Sequence, residues 1–122
     1  MKFFHFALSV LLCCLLISGC GGSTQNSCTI TANVAPASAI ADHTLAPPGN
    51  QVQFAAQSGA VGNCPLAPDI LGTWSTSDTT NTSINQQGLA TCLNATTTPA
   101  TVSNSGMVRS TKAFAPATLT CH

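Results

Sequence analysis

The apolar residues of this chain follow two different patterns. Residues 3–17 form an almost continuous apolar run, broken only by His5 and Ser9. From Cys28 onward, short apolar or β-branched segments are separated by Gly, Pro, Asn and Asp, and no window keeps a 3.6-residue apolar period. We therefore predict no major helix. The predicted extended segments are residues 28–34, 39–44, 51–55, 70–75, 82–84, 88–93, 99–103 and 117–121.

About seven short strands at regular spacing, with no helix between them, predict an all-β fold of the β-sandwich type. Turns are expected at 47–50, at 77–81 and before Gly88, and longer loops at 59–69 and 104–116. Trp74 is the only tryptophan and offers the largest contribution to a core. The other expected core residues are Val52 and Phe54, which alternation places on one face, together with Leu89 and Leu119.

The first apolar run has the features of an export signal. It follows a single basic residue, Lys2, and it is shorter than the roughly 20 residues that a spanning helix needs. Its last residues, Ile17-Ser18-Gly19-Cys20, resemble a bacterial lipobox, which implies cleavage before Cys20 and diacylglycerol on the cysteine thiol. The domains would then be a lipoprotein signal peptide (1–19), a lipidated flexible tether (20–27) and a folded domain (28–122). An ordinary signal peptide and an uncleaved anchor are the alternatives.

The position after the proposed lipid site is Gly21. In bacteria that sort lipoproteins by this residue, Gly instead of Asp resembles an outer-membrane signal. We therefore expect the protein in the bacterial cell envelope, held on the outer membrane by the lipid at Cys20.

The folded part carries very little charge. Its acids are Asp42, Asp69 and Asp78, and its bases are Arg109 and Lys112. A nucleic-acid-binding protein needs clustered Lys and Arg to displace counterions from phosphates, so nucleic acid is excluded as a partner. The length after cleavage corresponds to one domain with a modest core.

Four cysteines follow the proposed lipid site, at separations of 36, 28 and 29 positions. Zinc sites usually bring their ligands in close pairs such as C-x-x-C, and no such pair occurs here. An even number of well-spaced cysteines in an exported chain predicts two disulfides, with three possible connectivities. The four are Cys28, Cys64, Cys92 and Cys121.

The sequence offers few groups for catalysis. The folded part has His43 and His122, and the chain has three acidic residues in all. Asp42 and His43 are adjacent, and adjacent residues of a strand point to opposite faces, so a catalytic triad is not expected. Asp69 and Asp78 flank the Trp74 segment, too far apart for a glycosidase pair. We expect no enzyme, no cofactor and no metal site.

Five short motifs, in this order and spacing, resemble the bacterial immunoglobulin-like domains, group 2. The resemblance covers most of the region from Cys28 to Cys121, and the whole chain is similar to short acidobacterial-type lipoproteins. The usual W-S-S-S-N-x-x-V-A-T-V run departs here to W-S-T-S-D-T-T-N-T-S-I, and the cysteines are additional. The motifs are P-A-S-A at 36–39, G-N-Q-V-Q-F at 49–54, T-W-S-T-S-D at 73–78, G-L-A-T at 88–91 and A-T-L-T at 117–120.

This resemblance implies an immunoglobulin-like sandwich whose strand order brings Cys28 near Cys64 and Cys92 near Cys121. The main competing connectivity joins Cys64 to Cys92 and Cys28 to Cys121. The implied function is non-catalytic: a structural, adhesion or partner-binding lipoprotein with an unidentified protein or glycan partner. The alternative is a carbohydrate-binding or inhibitory module that uses the loops 59–69 and 104–116, with Trp74 and an exposed Phe114 stacking on a sugar.

Overall fold

The computed structural model describes residues 27–122, and this part of the chain is all-β. The signal segment, the proposed lipid site Cys20 and most of the tether lie outside the described residues. Between residues 27 and 122 no helix is long and apolar enough to span a membrane. Eleven strands are present here instead of about seven: β1 Cys28–Ala35, β2 Ser38–Ala41, β3 Gln51–Gln53, β4 Ala55–Gly62, β5 Trp74–Thr76, β6 Thr82–Ile84, β7 Leu89–Cys92, β8 Ala100–Asn104, β9 Met107–Val108, β10 Lys112–Ala113 and β11 Ala117–Cys121.

The strands form two larger sheets and two ladders of two strands each. One sheet has the order β2-β11-β8-β5, and the other has the order β3-β7-β6. The ladders pair β1 with β4 and β9 with β10. Every pairing is antiparallel except that of β2 with β11, which is parallel.

The pairing of β1, β2 and β11 defines two ends of the fold. Ala115 forms a parallel bridge with Asn33, and β11 runs parallel to β2. Because β1 and β2 both run parallel to this one continuous segment, the chain keeps one direction from Cys28 to Ala41. One end is therefore marked by Cys28 (the Cys28 end). The opposite end is marked by Cys121, which pairs with Ala41 (the Cys121 end).

The buried side chains form a cluster to which both larger sheets contribute. Phe54 and Leu119, both expected in the core, are 1% and 0% exposed. Val52 and Trp74 are half-buried and pack against the cluster. The cluster consists of Ala32, Val34, Ala41, Phe54, Ala90, Cys92, Val102, Val108, Phe114, Ala117, Leu119 and Cys121.

Leu89 does not belong to this cluster, in contrast to the expectation from sequence. Along β7 the side chains alternate between half-buried and buried positions, and Ala90 and Cys92 occupy the buried ones. Since successive residues of a strand point to opposite faces, a core position for Ala90 places Leu89 on the other face.

The turn before β7 fixes that register, and it lies where the sequence predicts it. The Asn85 side-chain oxygen accepts the N–H groups of Gln87 and Leu89, both at 3.0 Å. Gly88 has a φ of +83°, and its carbonyl accepts the Phe54 N–H at 2.8 Å. A Cβ at Gly88 would collide with the Phe54 carbonyl and touch the Trp74 ring. Both the positive φ and the close approach therefore require glycine here.

The longest ladder includes a strand that the sequence pattern did not predict. β1 and β4 pair over eight residues, from Cys28 opposite Gly62 to Ala35 opposite Ala55. β4 has the sequence AAQSGAVG, in which small and polar residues give no strand signal. Its extended state follows from pairing with β1, and the predicted loop 59–69 begins inside it.

Two further predictions from sequence need correction near residue 70. The strand expected at 70–75 is shorter, because β5 begins only at Trp74 and Ile70 makes an isolated bridge with Met107. Gly72 lies against Gly106, so the two backbones meet without side chains between them. The predicted loop 104–116 contains β9 and β10.

Candidate functional site

The two disulfides lie at opposite ends of the fold and in different surroundings. Cys28 bonds to Cys64, and Cys92 bonds to Cys121, which is the pairing implied by the immunoglobulin strand order. Cys92 and Cys121 are each 1% exposed and belong to the core, whereas Cys28 is exposed and Cys64 half-buried. The two bridges therefore differ in solvent access.

Asp42 and Asp78 each hold a local turn. Asp42 accepts the Thr44 hydroxyl at 2.7 Å and the Thr44 N–H at 2.9 Å, so its carboxylate is directed to this threonine and not to His43. Asp78 accepts the Asn81 side-chain amide at 2.8 Å and the Asn81 N–H at 3.1 Å. These hydrogen bonds lower the pKa of both carboxyls below the ordinary value.

Asp69 connects three segments at the Cys28 end. It accepts the Ser58 hydroxyl of β4 at 2.6 Å and the Arg109 N–H at 2.9 Å. The Ser58 hydroxyl, and then the Arg109 N–H, lower the pKa of the Asp69 carboxyl. All three acidic groups therefore stay ionised near neutral pH, which is the wrong protonation state for a general acid.

The two histidines lie together at the Cys121 end through backbone contacts. The His43 N–H donates to the His122 carbonyl at 3.0 Å, and the His122 N–H donates to the Ala41 carbonyl at 3.1 Å. The side-chain atoms His43 Nδ1 and Asn50 Oδ1 are buried without a hydrogen-bond partner. Within residues 27–122, no three His, Cys, Asp or Glu side chains come close enough to hold a metal.

An open cleft lies beside Trp74, where the edge strands β5 and β6 of the two larger sheets meet. Its volume is about 350 Å³, and the side chains around it are Trp74, Ser75, Thr76, Thr79, Thr82, Ser83 and Ile84. Trp74, which the sequence predicts in the core, packs against the core cluster, and its half-buried side chain also forms part of this wall.

Two of the hydroxyls at the cleft, those of Thr76 and Thr82, are already paired within the protein. The buried Thr82 hydroxyl lies 2.6 Å from the Asp78 carbonyl and 2.7 Å from the Thr76 hydroxyl. When Thr82 donates its proton to the carbonyl, Thr76 donates its own to Thr82. Neither proton then remains for a ligand. Thr76 and Thr82 lie six positions apart across a turn, and no strand or helix periodicity pairs them, so the sequence pattern does not predict this contact.

The loops 59–69 and 104–116 meet at the Cys28 end. Ile70 and Met107 exchange two backbone hydrogen bonds of 2.8 Å. The Arg109 guanidinium donates to the Pro65 carbonyl at 2.6 Å. Phe114, expected to be exposed, is 7% exposed and belongs to the core. It packs there because the bridge of Ala115 to β1 draws this segment against the core, so Phe114 is not available to stack on a sugar.

No protein-family model matches this chain, and no curated protein is significantly similar to it.

Proposed function

We propose that this protein is a lipoprotein of the bacterial cell envelope, anchored at Cys20, that displays an immunoglobulin-like β-sandwich with a structural, adhesion or partner-binding role. The observation that carries the proposal is the pair of disulfides, Cys28–Cys64 and Cys92–Cys121. Disulfides form and persist outside the reducing cytoplasm, so they support an exported protein. The lipobox-like motif that ends at Cys20 supplies the proposed means of attachment.

The sandwich assignment is supported by two sheets that share one core. The four-stranded sheet contributes Val102 and Leu119 to the buried cluster, and the three-stranded sheet contributes Ala90 and Cys92. The bond between Cys92 and Cys121 joins these two sheets. Two antiparallel-rich sheets packed through alternate residues are the arrangement of immunoglobulin-like domains.

A non-catalytic role is supported by how the acidic groups are used. Asp42, Asp69 and Asp78 each accept at least two hydrogen bonds from neighbouring residues, and these bonds lower the pKa of each carboxyl. A carboxyl that works as a general acid needs the opposite change, a raised pKa. The acids of this domain are therefore suited to fixing loops.

The test is expression in a diderm bacterium with a complete lipoprotein pathway, followed by intact mass measurement and peptide mapping without reduction. We expect a chain that starts at Cys20 and carries a diacylglycerol adduct, with both disulfides closed. Cys20→Ser should abolish the adduct and the membrane fractionation. Cys14→Ser, which changes a cysteine of the segment proposed to be removed, is the matched control and should change neither.

A second candidate function is favoured by the cleft at Trp74. A half-exposed tryptophan beside hydroxyl side chains is a common platform for a sugar ring, and this would make the protein a glycan-binding or inhibitory module. Because Trp74 is the only tryptophan, its fluorescence reports directly on this cleft. Titration with envelope oligosaccharides should then shift the emission, and Thr79→Ala, at the cleft wall, should weaken the response.

A further inference from the structure

The Cys28 end exposes an unusual number of large apolar side chains. They lie near the end of β4, in the segment between β4 and β5, and in β9. Their exposures are 74% for Val61, 100% for Leu66, 53% for Ile70, 71% for Leu71 and 38% for Met107. Soluble monomers seldom expose apolar residues in such a group, and a clustered set indicates a surface that contacts something else. We call these five residues the apolar end patch.

Hydrogen bonds hold the patch in place. Ile70 and Met107 face each other across their bridge, with two bonds of 2.8 Å, so their side chains are neighbours. Val61 pairs with Thr29, one position from the Cys28 end of the β1–β4 ladder. Leu66 lies two residues after Cys64, which forms the disulfide with Cys28. Val61 and Leu66 therefore lie beside the Cys28–Cys64 bridge.

The basic residues of the described chain lie at this same end. The Lys112 ammonium donates to the Ile30 carbonyl of β1 at 2.6 Å. The Arg109 guanidinium donates to the Pro65 carbonyl, in the loop that carries Leu66. Among residues 27–122, the acid at this end is Asp69, which Arg109 and Ser58 already engage. The Cys28 end therefore carries a net positive charge.

The other two acids lie at the Cys121 end. Asp42 directly follows β2, whose last residue pairs with Cys121. Asp78 caps the turn at Asn81, and the Asn81 carbonyl accepts the N–H of Leu93, the residue after Cys92. The charges are thus distributed unevenly, with both basic residues at the Cys28 end and two of the three carboxylates at the Cys121 end. Exposed apolar side chains occur at the Cys121 end as well, at Ile40, Leu45 and Leu93, but no basic residue of the described chain accompanies them.

The chain enters the fold at the apolar, basic end. The Asn63 N–H donates to the Ser27 carbonyl at 3.0 Å, which fixes the start of the described chain beside the Cys28–Cys64 bridge. Six residues, 21–26, separate Ser27 from Cys20. The seven steps from Cys20 to Ser27 span at most about 25 Å even when fully extended. A lipid on Cys20 would therefore hold the Cys28 end close to the bilayer at a high effective concentration.

We propose that the apolar end patch rests on the membrane that holds the lipid anchor. Leu66, Val61 and Leu71 insert among the lipid headgroups, Arg109 and Lys112 face anionic phospholipids, and the Cys121 end points away. The inference rests on the proposed anchoring at Cys20. The occupant is the bilayer because the tether brings the bilayer to this end and because the charge of this end complements anionic lipid.

The test compares two single substitutions at opposite ends in the full-length protein, purified from a lipoprotein-competent bacterium and placed in phosphatidylglycerol–phosphatidylethanolamine vesicles. Leu66→Trp introduces a reporter in the patch, at a position whose complete exposure makes the change harmless to folding. Leu45→Trp is the matched control, because Leu45 is 53% exposed and lies in the loop after β2 at the Cys121 end.

After subtraction of the Trp74 emission, measured on the parent protein in the same vesicles, brominated acyl chains should quench Leu66→Trp roughly twofold more than Leu45→Trp, because bromine on the acyl chains quenches only side chains that enter the bilayer. Replacing phosphatidylglycerol by neutral phosphatidylcholine, or substituting Lys112→Gln, should weaken this difference. Equal quenching of the two proteins overturns the proposal. A blue shift of Leu66→Trp emission without bromine quenching also overturns it, because the patch then contacts protein, such as a second copy of this chain.

The intact mass of the same preparation separates the two proposals. If Cys20 carries diacylglycerol and Leu66→Trp is not quenched, membrane docking is wrong and the anchor stands. If Cys20 is unmodified, the anchor is wrong, and quenching of Leu66→Trp on added anionic vesicles still decides whether the patch binds membranes.

Discussion

Removal of the buried disulfide should destabilise the fold more than removal of the exposed one. The two perturbations are the paired substitutions Cys92→Ala with Cys121→Ala, and Cys28→Ala with Cys64→Ala. Each pair removes one cross-link and introduces no polar atom into the core. The comparison therefore isolates the effect of the surroundings of each bridge.

The loop-closure contributions of the two bridges are almost equal. Their sequence separations are 36 and 29 residues. In the chain-entropy model both then contribute about 3.7 kcal/mol to the free energy of unfolding at 25 °C, with a difference of about 0.2 kcal/mol. Loop length alone thus predicts the same loss of stability for both double variants.

The two bridges differ in burial, and burial determines the expected difference in lost stability. Cys92 and Cys121 are each 1% exposed, so truncation to alanine removes two sulfur atoms from a packed core. Each buried heavy atom lost costs about 1 kcal/mol through lost transfer energy and the space left behind. We expect the buried pair to cost about 5 to 6 kcal/mol, and the exposed pair about 4 kcal/mol or less.

Urea unfolding at 25 °C, followed by the fluorescence of Trp74 and by far-ultraviolet circular dichroism, measures both variants. Domains of this size have total stabilities of about 5 to 15 kcal/mol, so the variant without the buried bridge should be close to unfolding before urea is added. Partial reduction of the native protein gives a second measurement, in which peptide mapping should find Cys28–Cys64 opened first. An exposed-pair variant that is as unstable as the buried-pair variant would refute the burial argument.

Three further predictions concern single side chains. Gly88→Ala should lower the free energy of unfolding by about 2 kcal/mol, because of its φ of +83° and the backbone carbonyl that its Cβ would meet. Gly59→Ala should cost less, because its φ is not in the left-handed region and its Cβ would meet a side-chain atom, the Thr31 hydroxyl, instead of backbone; equal urea midpoints would contradict this. Thr82→Val should cost about 1 kcal/mol, because the variant loses the hydroxyl bonds to the Asp78 carbonyl and the Thr76 hydroxyl and keeps only the backbone bond to Asp78. The exposed Thr118→Val should be neutral in the same titration. The pKa of the Asp69 carboxyl is lower in the folded state than its unfolded value of 3.8. The ionised carboxylate therefore stabilises the fold above pH 3.8, and this stabilisation is lost as the pH falls through the folded-state pKa. Thermal melts between pH 7 and pH 2 should therefore show a smaller acid-induced loss for Asp69→Asn than for the parent, and identical profiles would count against this assignment.

The parts of the fold that the sequence predicted are those with strong local signals. The turn at Gly88 was expected because Asn and Gly nearby favour turns, and it is present. β4 was missed because its small residues carry no strand preference, and its extended state arises from pairing with β1. Ile70 was expected in a strand because of its β-branched side chain, yet the close approach of Gly72 to Gly106 leaves it in an isolated bridge.

The candidate surfaces were harder to predict for a related reason. A large apolar residue in sequence predicts burial, so Leu66 and Leu71 gave no sign that they would be exposed. The opposite error occurred at Phe114, which was expected at the surface and is buried through the contact of its neighbour Ala115 with β1. In both cases the outcome depends on contacts between distant segments, which a single sequence does not display.

The different surroundings of the two disulfides suggest different tasks. Cys92–Cys121 joins two sheets inside the core, so its removal should act on unfolding of the whole domain. Cys28–Cys64 lies outside the core and ties the loop that carries Leu66 to the first residue of β1. A loop that must present exposed apolar side chains to a membrane gains from being held in one conformation before it binds, because less conformational entropy is then lost on binding. Opening Cys28–Cys64 should therefore weaken the bromine quenching of Leu66→Trp under conditions in which the core, monitored by far-ultraviolet circular dichroism, remains folded.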